Sequence, residues 1–311
     1  MRLHTQVLQI GTDWGDAGHT KLYLLEGEKK AIVDTGVATS PARDIAPYLA
    51  YYGYKLSDID IILNTHGHHD HAGGNVALAH AEVYIHEDDA FLIEDPIKTF
   101  DSLDARFMRL MAKSEAQVNK ARTKFVSGLT VQKVARALKD GDVVDLGKGS
   151  QIRVVSIPGH TMGSVGFLWE REGMFFTGDS AMGQGSRPGV LPSLYFPLTY
   201  IRTLEKLLKM PIGLMALGHY FEGLRVNSNP IKKGDQVTLY LQDCQEICNR
   251  IMESMGKAIL RNWGAPFPVV LADALDYLSQ HLKVRRDPAT GVPKNAVRRL
   301  GSCYLDMIRT L

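Results

Sequence analysis

The residues best suited to chemistry lie together in the segment NTHGHHDHAGG, residues 64–74, where four histidines and one aspartate occupy positions 66–71. His66 and His68 are two residues apart, so in extended or turning backbone both side chains leave on the same side, as two ligands of one metal ion must. Asp70 and His71 then point elsewhere, and two such pairs suit two adjacent ions better than one tetrahedral zinc. His69 is expected in a supporting or surface position. We therefore predict a binuclear metal site, the alternative being a solvent-exposed histidine tract that binds nothing.

Three further candidate ligands each follow an apolar, strand-like run. His160 comes after such a run and a Pro-Gly turn in SIPGHTMGS, Asp179 ends GMFFTGDS, and His219 ends LMALGH. A carboxylate between two cations can bridge them at little electrostatic cost, which makes Asp179 the candidate bridge.

The predicted elements place the histidine motif at the end of a strand. Short β-prone runs at residues 7–10, 22–25 and 31–33 are separated by the turns GTDWGDAGHT and EGEKK, which predicts a meander of strands. A helix follows in SPARDIAPYLAYYGYKL, and IDIILNTH is an apolar run too short for a helix, hence a buried strand. The motif begins just beyond this strand, where open α/β sheets tend to place their ligand sites.

The remaining chain divides into an insertion, a second set of strands and a helical end. Residues 94–140 have mostly helical spacing, which predicts a helical insertion at about 95–138. Strand-like runs resume in GDVVDLG, QIRVVSIPGH, SVGFLWE and GMFFTGDS, followed by a helix through residues 200–208 and the run IGLMALGH. Everything after Pro230 is predicted to be helical. We therefore predict a catalytic domain at 1–229 and a helical C-terminal subdomain at 230–311.

Composition points to an ordinary globular enzyme. The chain has 311 residues, a formal net charge of +2 and three cysteines, a balance that argues against nucleic acid or a membrane as partner and against a disulfide framework. The short basic clusters Arg285-Arg286 and Arg298-Arg299 are expected to be solvated faces. The sequence contains no run of about 20 apolar residues and does not start like a secretion signal, so a cytoplasmic location is expected.

The ordered motifs IVDTG, THGHHDHAGG, PGHTMGS, FTGDS and LGHY resemble those of the metallo-β-lactamase superfamily in its hydrolase form. The resemblance runs from Asp34 to His219. It implies an α/β fold, a four-layer αββα sandwich with the metals at one edge, here with a helical insertion and a helical C-terminal subdomain. It also implies which residues hold each metal: the first ion by His66, His68 and His160, the second by Asp70, His71 and His219, with Asp179 bridging. Asp34 would support the metal-site loops.

The resemblance also implies a cofactor and a reaction. Two Zn²⁺ ions are expected, with iron or manganese able to replace them in vitro. His68 stands where the resembling diiron flavoproteins have glutamate, which disfavours oxygen or NO reduction, and the aspartate at position 179 disfavours β-lactam hydrolysis. The closest likeness is to hydroxyacylglutathione hydrolases, N-acyl homoserine lactonases and related thioesterases, which cleave ester-type bonds. A hydroxide held between the metals would attack the carbonyl, Asp70 would carry a proton to the leaving group, and Tyr195 or Tyr200 would assist the oxyanion.

The substrate is expected to be a small acyl compound, a lactone, thioester or ester, with a homodimer as one expected assembly. Aromatic and flexible apolar residues of the insertion and of GVLPSLYFPLTY are candidates to line an acyl pocket, with packing as the alternative role: Phe100, Phe107, Met108, Met111, Phe125. Two other functions remain as alternatives, a metal-dependent phosphodiesterase or nuclease and a metal-free binding relative. The complete ligand set argues against the metal-free alternative.

Overall fold

Two mixed β-sheets form the centre of the protein in the computed structural model, which describes residues 1–13, 18–186, 190–282, 284 and 296–308. Within these residues the first sheet has seven strands, in spatial order β1 (Arg2–His4), β2 (Val7–Gly11), β3 (Lys21–Glu26), β4 (Lys30–Val33), β5 (Ile61–Leu63), β6 (Glu82–His86) and β7 (Arg136–Leu138). The second sheet has six, in chain order β8 (Val143–Asp145), β9 (Gln151–Ser156), β10 (Val165–Trp169), β11 (Met174–Gly178), β12 (Leu214–Leu217) and β13 (Ile231–Lys233).

Helices cover the outer faces of both sheets. In chain order they are α1 (Ala46–Tyr51), α2 (His69–Ala72), α3 (Ala90–Glu94), α4 (Pro96–Phe100), α5 (Arg106–Leu110), α6 (Glu115–Ser127), α7 (Pro197–Leu207), α8 (Asp235–Arg261), α9 (Phe267–His281) and α10 (Ala296–Ile308). Within the described part of the chain, none of these helices has the length and apolar character needed to cross a membrane.

The alternating side chains of the strands fill three apolar layers. Strand β3 sends Tyr23 into the layer between the sheets and Leu24 into the layer under α1. Strand β11 likewise sends Phe176 between the sheets and Phe175 against the helices on the other side. Because strands buried on both faces need apolar residues on both, they appear in the sequence as continuous apolar runs. The layers give the four-layer αββα arrangement that the sequence predicts.

The helices α7 to α10 and the second sheet share one apolar cluster, which includes Phe175, Met215, Ile247, Leu275 and Leu300. The C-terminal helices therefore supply the outer layer of the sandwich on that side.

Strands β1 and β6 form where no element was predicted, and two short strands form where the sequence predicted helix. Residues 136–138, expected at the end of the helical insertion, form the edge strand β7, and residues 231–233, expected to be helical, form the edge strand β13. Each has three residues, too few for an alternating pattern to stand out beside a helix. The other predicted strands and helices are present, except that residues 14–17 of the turn GTDWGDAGHT lie outside the described residues.

The sheet topology brings five strand ends to one edge of the sandwich. Strand β4 runs parallel to β5, and β11 runs parallel to β12. Strand β9 points the same way as β11, because β10 is antiparallel to both. The segments that follow these five strands carry all the residues predicted to bind metal.

Candidate metal centre

The structure brings the seven predicted ligands together in two groups that meet at a shared carboxylate. In each group the ligand atoms lie within 4.8 Å of one another. The groups are His66, His68 and His160, and Asp70, His71 and His219, with a third combination of His66, His71 and Asp179 linking them. Their roles as metal ligands stay predictions.

The three imidazoles of the first group are arranged around one point. The ring centroids of His66, His68 and His160 are 4.7 Å apart in each pair, with interplanar angles of 83–84°. The Nδ1 of His68 lies 2.9 Å from the Nε2 of His160. Within the described residues the Nε2 of His66 is buried and has no hydrogen-bond partner. Three mutually edge-on rings with converging nitrogens leave the fourth position of a tetrahedron open, as catalytic zinc sites do.

In the second group, two imidazole nitrogens and two carboxylates lie close to one another. The Nε2 atoms of His71 and His219 are 3.1 Å apart, and Asp179 Oδ1 lies 3.2 and 3.3 Å from them. Asp70 Oδ2 is 3.5 Å from the Nε2 of His219. Asp179 Oδ2 is also 3.8 Å from the Nε2 of His160, so this carboxylate lies between the two groups. Nitrogen and oxygen donors gathered in this way fit a second divalent ion with Asp179 between the two.

Hydrogen bonds to backbone carbonyl oxygens fix the Nδ1 atoms of two imidazoles, the atoms that face away from the centre. His160 Nδ1 donates to the Ser193 carbonyl oxygen at 2.8 Å, and His219 Nδ1 donates to the His19 carbonyl oxygen. A carbonyl can only accept, so in the neutral rings the proton sits on Nδ1 and the Nε2 lone pair faces the centre. Such outer partners set the tautomer and orientation of metal-binding histidines.

Asp34 holds His71 in the same way and joins it to the neighbouring strand end. Its carboxylate is 1% exposed, accepts from His71 Nδ1 at 2.8 Å, and accepts from both the backbone N–H and the hydroxyl of Thr65 at 2.8 Å. Asp34 has φ +59°, a left-handed conformation that aspartate and asparagine adopt more readily than most residues. These contacts agree with the supporting role predicted for Asp34.

Asp89 performs a similar task and was not predicted from the sequence. It accepts hydrogen bonds from Gly67 N at 3.2 Å, Gly163 N at 2.9 Å and the Thr161 hydroxyl at 2.7 Å. It therefore ties the His66–His68 loop to the loop that carries His160. Asp89 lies in the turn before α3, and the segment HEDDA carries no signal that singles it out.

The two groups differ in their electrostatics. Burial, together with the neighbouring imidazoles, holds the pKa values of His66 and His68 well below the ordinary histidine value, so these rings are neutral and ready to bind a cation. Burial also opposes protonation of His219, but the Asp179 carboxylate outweighs it and raises the pKa of His219 to about 9. In the absence of metal, the carboxylates of the second group therefore stay ionised, and protonated imidazoles balance their charge.

Glycines at the centre serve close packing. A Cβ on Gly218 would lie 2.7 Å from Asp179 Oδ1 and 2.9 Å from a carbon of the His71 ring, so only glycine leaves room for these two residues. Of the two glycines that end the histidine motif, Gly73 has an ordinary φ of −61°, and a Cβ on Gly74 would lie 2.4 Å from the Thr35 carbonyl oxygen. Glycine is required at position 74 because the segment 35–41 passes too close to leave room for a side chain.

The structure separates the two candidate tyrosines. The ring of Tyr195 lies 5.7 Å from the rings of both His68 and His160, whereas Tyr200 is buried in the helical layer and its hydroxyl accepts from the Met182 N–H at 2.9 Å. Tyr200 therefore has a packing role, because its hydroxyl is used in the core. Tyr195 stays the candidate to assist the oxyanion.

Arg298 corrects the prediction that its basic cluster is a solvated face. This residue of α10 places its guanidinium 5.3 Å from the Tyr195 ring centroid, with Asp104 3.7 Å away, and its side chain is only 36% exposed. The other cluster, Arg285-Arg286, lies outside the described residues. A residue distant in sequence thus reaches the wall of the site, which local charge patterning could not predict.

A cavity of about 850 Å³ adjoins the centre where His68 and His69 form part of its wall. Three of the predicted pocket residues line it, namely Phe100, Met108 and Phe125. The other two pack elsewhere: Phe107 against Tyr195, and Met111 against the helical layer. His69 itself is largely exposed, as predicted.

Comparison with known proteins agrees with this geometry. A model of the metallo-beta-lactamase superfamily matches residues 15–219. Among curated relatives, the chain is 29% identical over 205 residues to a beta-lactamase-like protein 2 homolog of Drosophila melanogaster, covering 64% of this chain and 58% of that one. It is 31% identical over 167 residues to a hydroxyacylglutathione hydrolase of Synechococcus sp. (strain JA-3-3Ab), covering 53% and 50%.

The matched part therefore spans about half the length of these relatives. Among solved structures, a metallo-beta-lactamase family protein of Thermus thermophilus superposes with a TM-score of 0.71 at 20% identity, covering 99% of this chain and 95% of that one. At this identity the likeness shows the fold.

Proposed function

This chain belongs to the metallo-β-lactamase superfamily, and from that premise we propose that it is a two-zinc hydrolase that cleaves an ester-type bond of a small acyl substrate. One observation carries the proposal: two groups of three ligand side chains meet at Asp179, each with donor atoms within 4.8 Å. Such paired sites suit displacement reactions at a carbonyl or phosphoryl centre. The lactone, thioester and ester classes all fit this chemistry.

The name of one relative favours a carbonyl substrate. That relative is a hydroxyacylglutathione hydrolase, whose name describes hydrolysis of an acylated glutathione, and its match covers 53% of this chain. The relative therefore supports an acyl bond as the target, and the substrate panel below identifies the leaving group. A phosphodiester substrate, which could use the same ligands, is tested alongside.

The residues around the centre have separable tasks in this reaction. When bound, divalent metal ions polarise a carbonyl and lower the pKa of water to about 7. Asp70 faces His219 with Oδ2, and its side chain is 17% exposed, which makes its second oxygen the candidate to pass a proton to the leaving group. The Tyr195 hydroxyl is the candidate donor to the oxyanion. When His71 is neutral, Asp34 holds its proton on Nδ1 and so leaves Nε2 available to a ligand, and Asp89 keeps the two histidine loops in register.

The test is a substrate panel on zinc-loaded protein. Lactones, acyl thioesters and bis-p-nitrophenyl phosphate are compared with and without a chelator, and metal content is measured for wild type, Asp179→Asn and His69→Ala. We expect chelator-sensitive turnover of at least one acyl substrate. We also expect two equivalents of zinc in wild type and in the exposed-histidine control, with a loss of zinc in Asp179→Asn. Turnover of the phosphodiester alone would refute the acyl assignment, and a single equivalent in wild type would refute the two-metal site.

A further inference from the structure

The cavity beside the centre lies between the histidine loop and the insertion helices α3 to α6. Its wall includes Gly67 and His68 of the histidine loop and, on or just after α6, the exposed residues Lys124, Gly128 and Thr130. Most of the wall is apolar, including Leu92, Phe100, Leu103, Met108, Ala121 and Phe125. Its volume of about 850 Å³ is within the range of roughly 300–1,000 Å³ found for small-molecule pockets.

Some polar groups in this wall are already bonded within the protein. The Thr99 hydroxyl donates to the Phe91 carbonyl at 3.0 Å, and Gln132 Nε2 donates to the Ala72 carbonyl at 3.0 Å. Arg298 has Asp104 3.7 Å away. Among the described residues, Gln132 Oε1 and Arg298 Nε have no hydrogen-bond partner. Because most of the wall is aromatic or aliphatic, an apolar ligand gains from burial against it without breaking the existing bonds.

We infer that the cavity binds an unbranched apolar chain of the substrate, with the reacting bond at the His68 end and the chain extending toward α6. The inference rests on the proposed function for the reaction at the His68 end, but binding of the chain can be measured without turnover. The chain could belong to the acyl part or to the alcohol part of an ester. Both have the same chemistry, so the experiment has one arm for each.

Ala121 offers a variant that fills the cavity without removing a packed side chain. It lies on α6, is partly buried and contacts the cavity, so Ala121→Phe places a ring in the space assigned to the chain. Ala116, on the same helix, is exposed and is not part of the cavity wall, so Ala116→Phe is the matched control. Circular dichroism of both variants checks that the helical content is unchanged.

The first measurement is calorimetric binding of 1-butanol and 1-octanol to the zinc-loaded protein. Full burial of a methylene strengthens binding by about fourfold, so 1-octanol should bind at least tenfold more tightly than 1-butanol. Ala121→Phe should remove at least tenfold of the octanol affinity, and Ala116→Phe should bind as wild type does. Equal affinities for the two alcohols in wild type, or equal octanol binding by the two variants, would overturn the inference.

The second measurement follows kcat/KM for two ester series. One arm extends the acyl group, from p-nitrophenyl acetate to the hexanoate and octanoate, and the other extends the alcohol, from ethyl to hexyl to octyl acetate. A rise of kcat/KM with length in either arm, abolished for long chains by Ala121→Phe, supports the inference and identifies which part of the ester enters. Flat profiles in both arms overturn it even if short esters are hydrolysed. Chain-dependent alcohol binding without turnover of any ester, or of any lactone or thioester in the substrate panel, would support the cavity assignment and refute the proposed function.

Discussion

Replacing Asp34 by asparagine should weaken metal binding while leaving the fold intact. Asparagine matches aspartate in shape and tolerates the φ of +59° at this position. The carboxylate accepts three hydrogen bonds of 2.8 Å, two from Thr65 and one from His71, whereas an amide has one accepting oxygen and an NH₂ group. One of the three donors must therefore face the NH₂ group.

Either orientation of the amide is costly. If its NH₂ faces the Thr65 backbone N–H, a buried donor is left without an acceptor. If it faces His71, the imidazole must accept at Nδ1, so its proton moves to Nε2, the atom that points at the centre. A buried unsatisfied group costs about 1–3 kcal/mol, which corresponds to roughly 5- to 150-fold, and loss of a histidine's outer partner typically costs 10–100-fold in metal affinity. We expect zinc affinity to fall by about 10–100-fold.

Competition with a chromophoric chelator measures this affinity, and the melting temperature of the metal-free protein reports on the fold. Asp60→Asn is the control, because Asp60 also accepts a backbone hydrogen bond, from Lys30 N at 2.8 Å, but is exposed and precedes β5 at the end away from the site. Zinc affinity within twofold of wild type in a folded Asp34→Asn protein would refute the argument that Asp34 sets the tautomer of His71.

Three further predictions follow from the geometry of the centre. Gly218→Ala should lose metal, because its Cβ would lie 2.7 Å from Asp179 Oδ1, whereas Gly213→Ala, with its closest contact at 3.5 Å, should bind metal normally; zinc analysis of the two purified variants decides this. Zinc binding should release protons and strengthen with rising pH up to about 9, since the Asp179 carboxylate raises the pKa of His219 to about 9 and its proton must leave before the nitrogen can bind; affinity independent of pH between 6.5 and 9 would contradict this. Tyr195→Phe should lower kcat by tenfold or more with little change in zinc content if the hydroxyl stabilises the oxyanion, and an unchanged kcat would assign the ring to packing.

The sequence places the candidate metal-binding residues at one edge because much of its information is local. Each candidate ligand follows an apolar run that forms a strand, and the edge at which these strands end is set by the topology of parallel strands. His66 and His68 could be paired from their spacing, whereas the division of the candidates between two ions was implied by the resemblance. Asp179 comes directly after β11, and His219 follows β12 by one glycine.

Contacts between distant segments were not predictable in this way. Asp89 joins two loops mainly through backbone N–H groups. Because nearly every residue has such a group, the sequence does not identify the partners of Asp89. Arg298 reaches Tyr195 because α10 packs near α7, which begins just after Tyr195, and this tertiary contact has no local signature. The edge strands β7 and β13 are set by pairing with a neighbour, and three residues are too few to show a period.

The distance along the chain between the two halves of the centre has a kinetic consequence. His71 and His219 are 148 residues apart in sequence, yet their Nε2 atoms are 3.1 Å apart, and they follow strands of different sheets. An ion held by both histidines would act as a removable crosslink that closes a long loop of chain. Such a crosslink restricts the unfolded state most when the loop is long. The sheets could then separate only after the ion is released. The lifetime of the folded protein should therefore lengthen with the concentration of free metal, and a chelator should accelerate both unfolding and proteolysis.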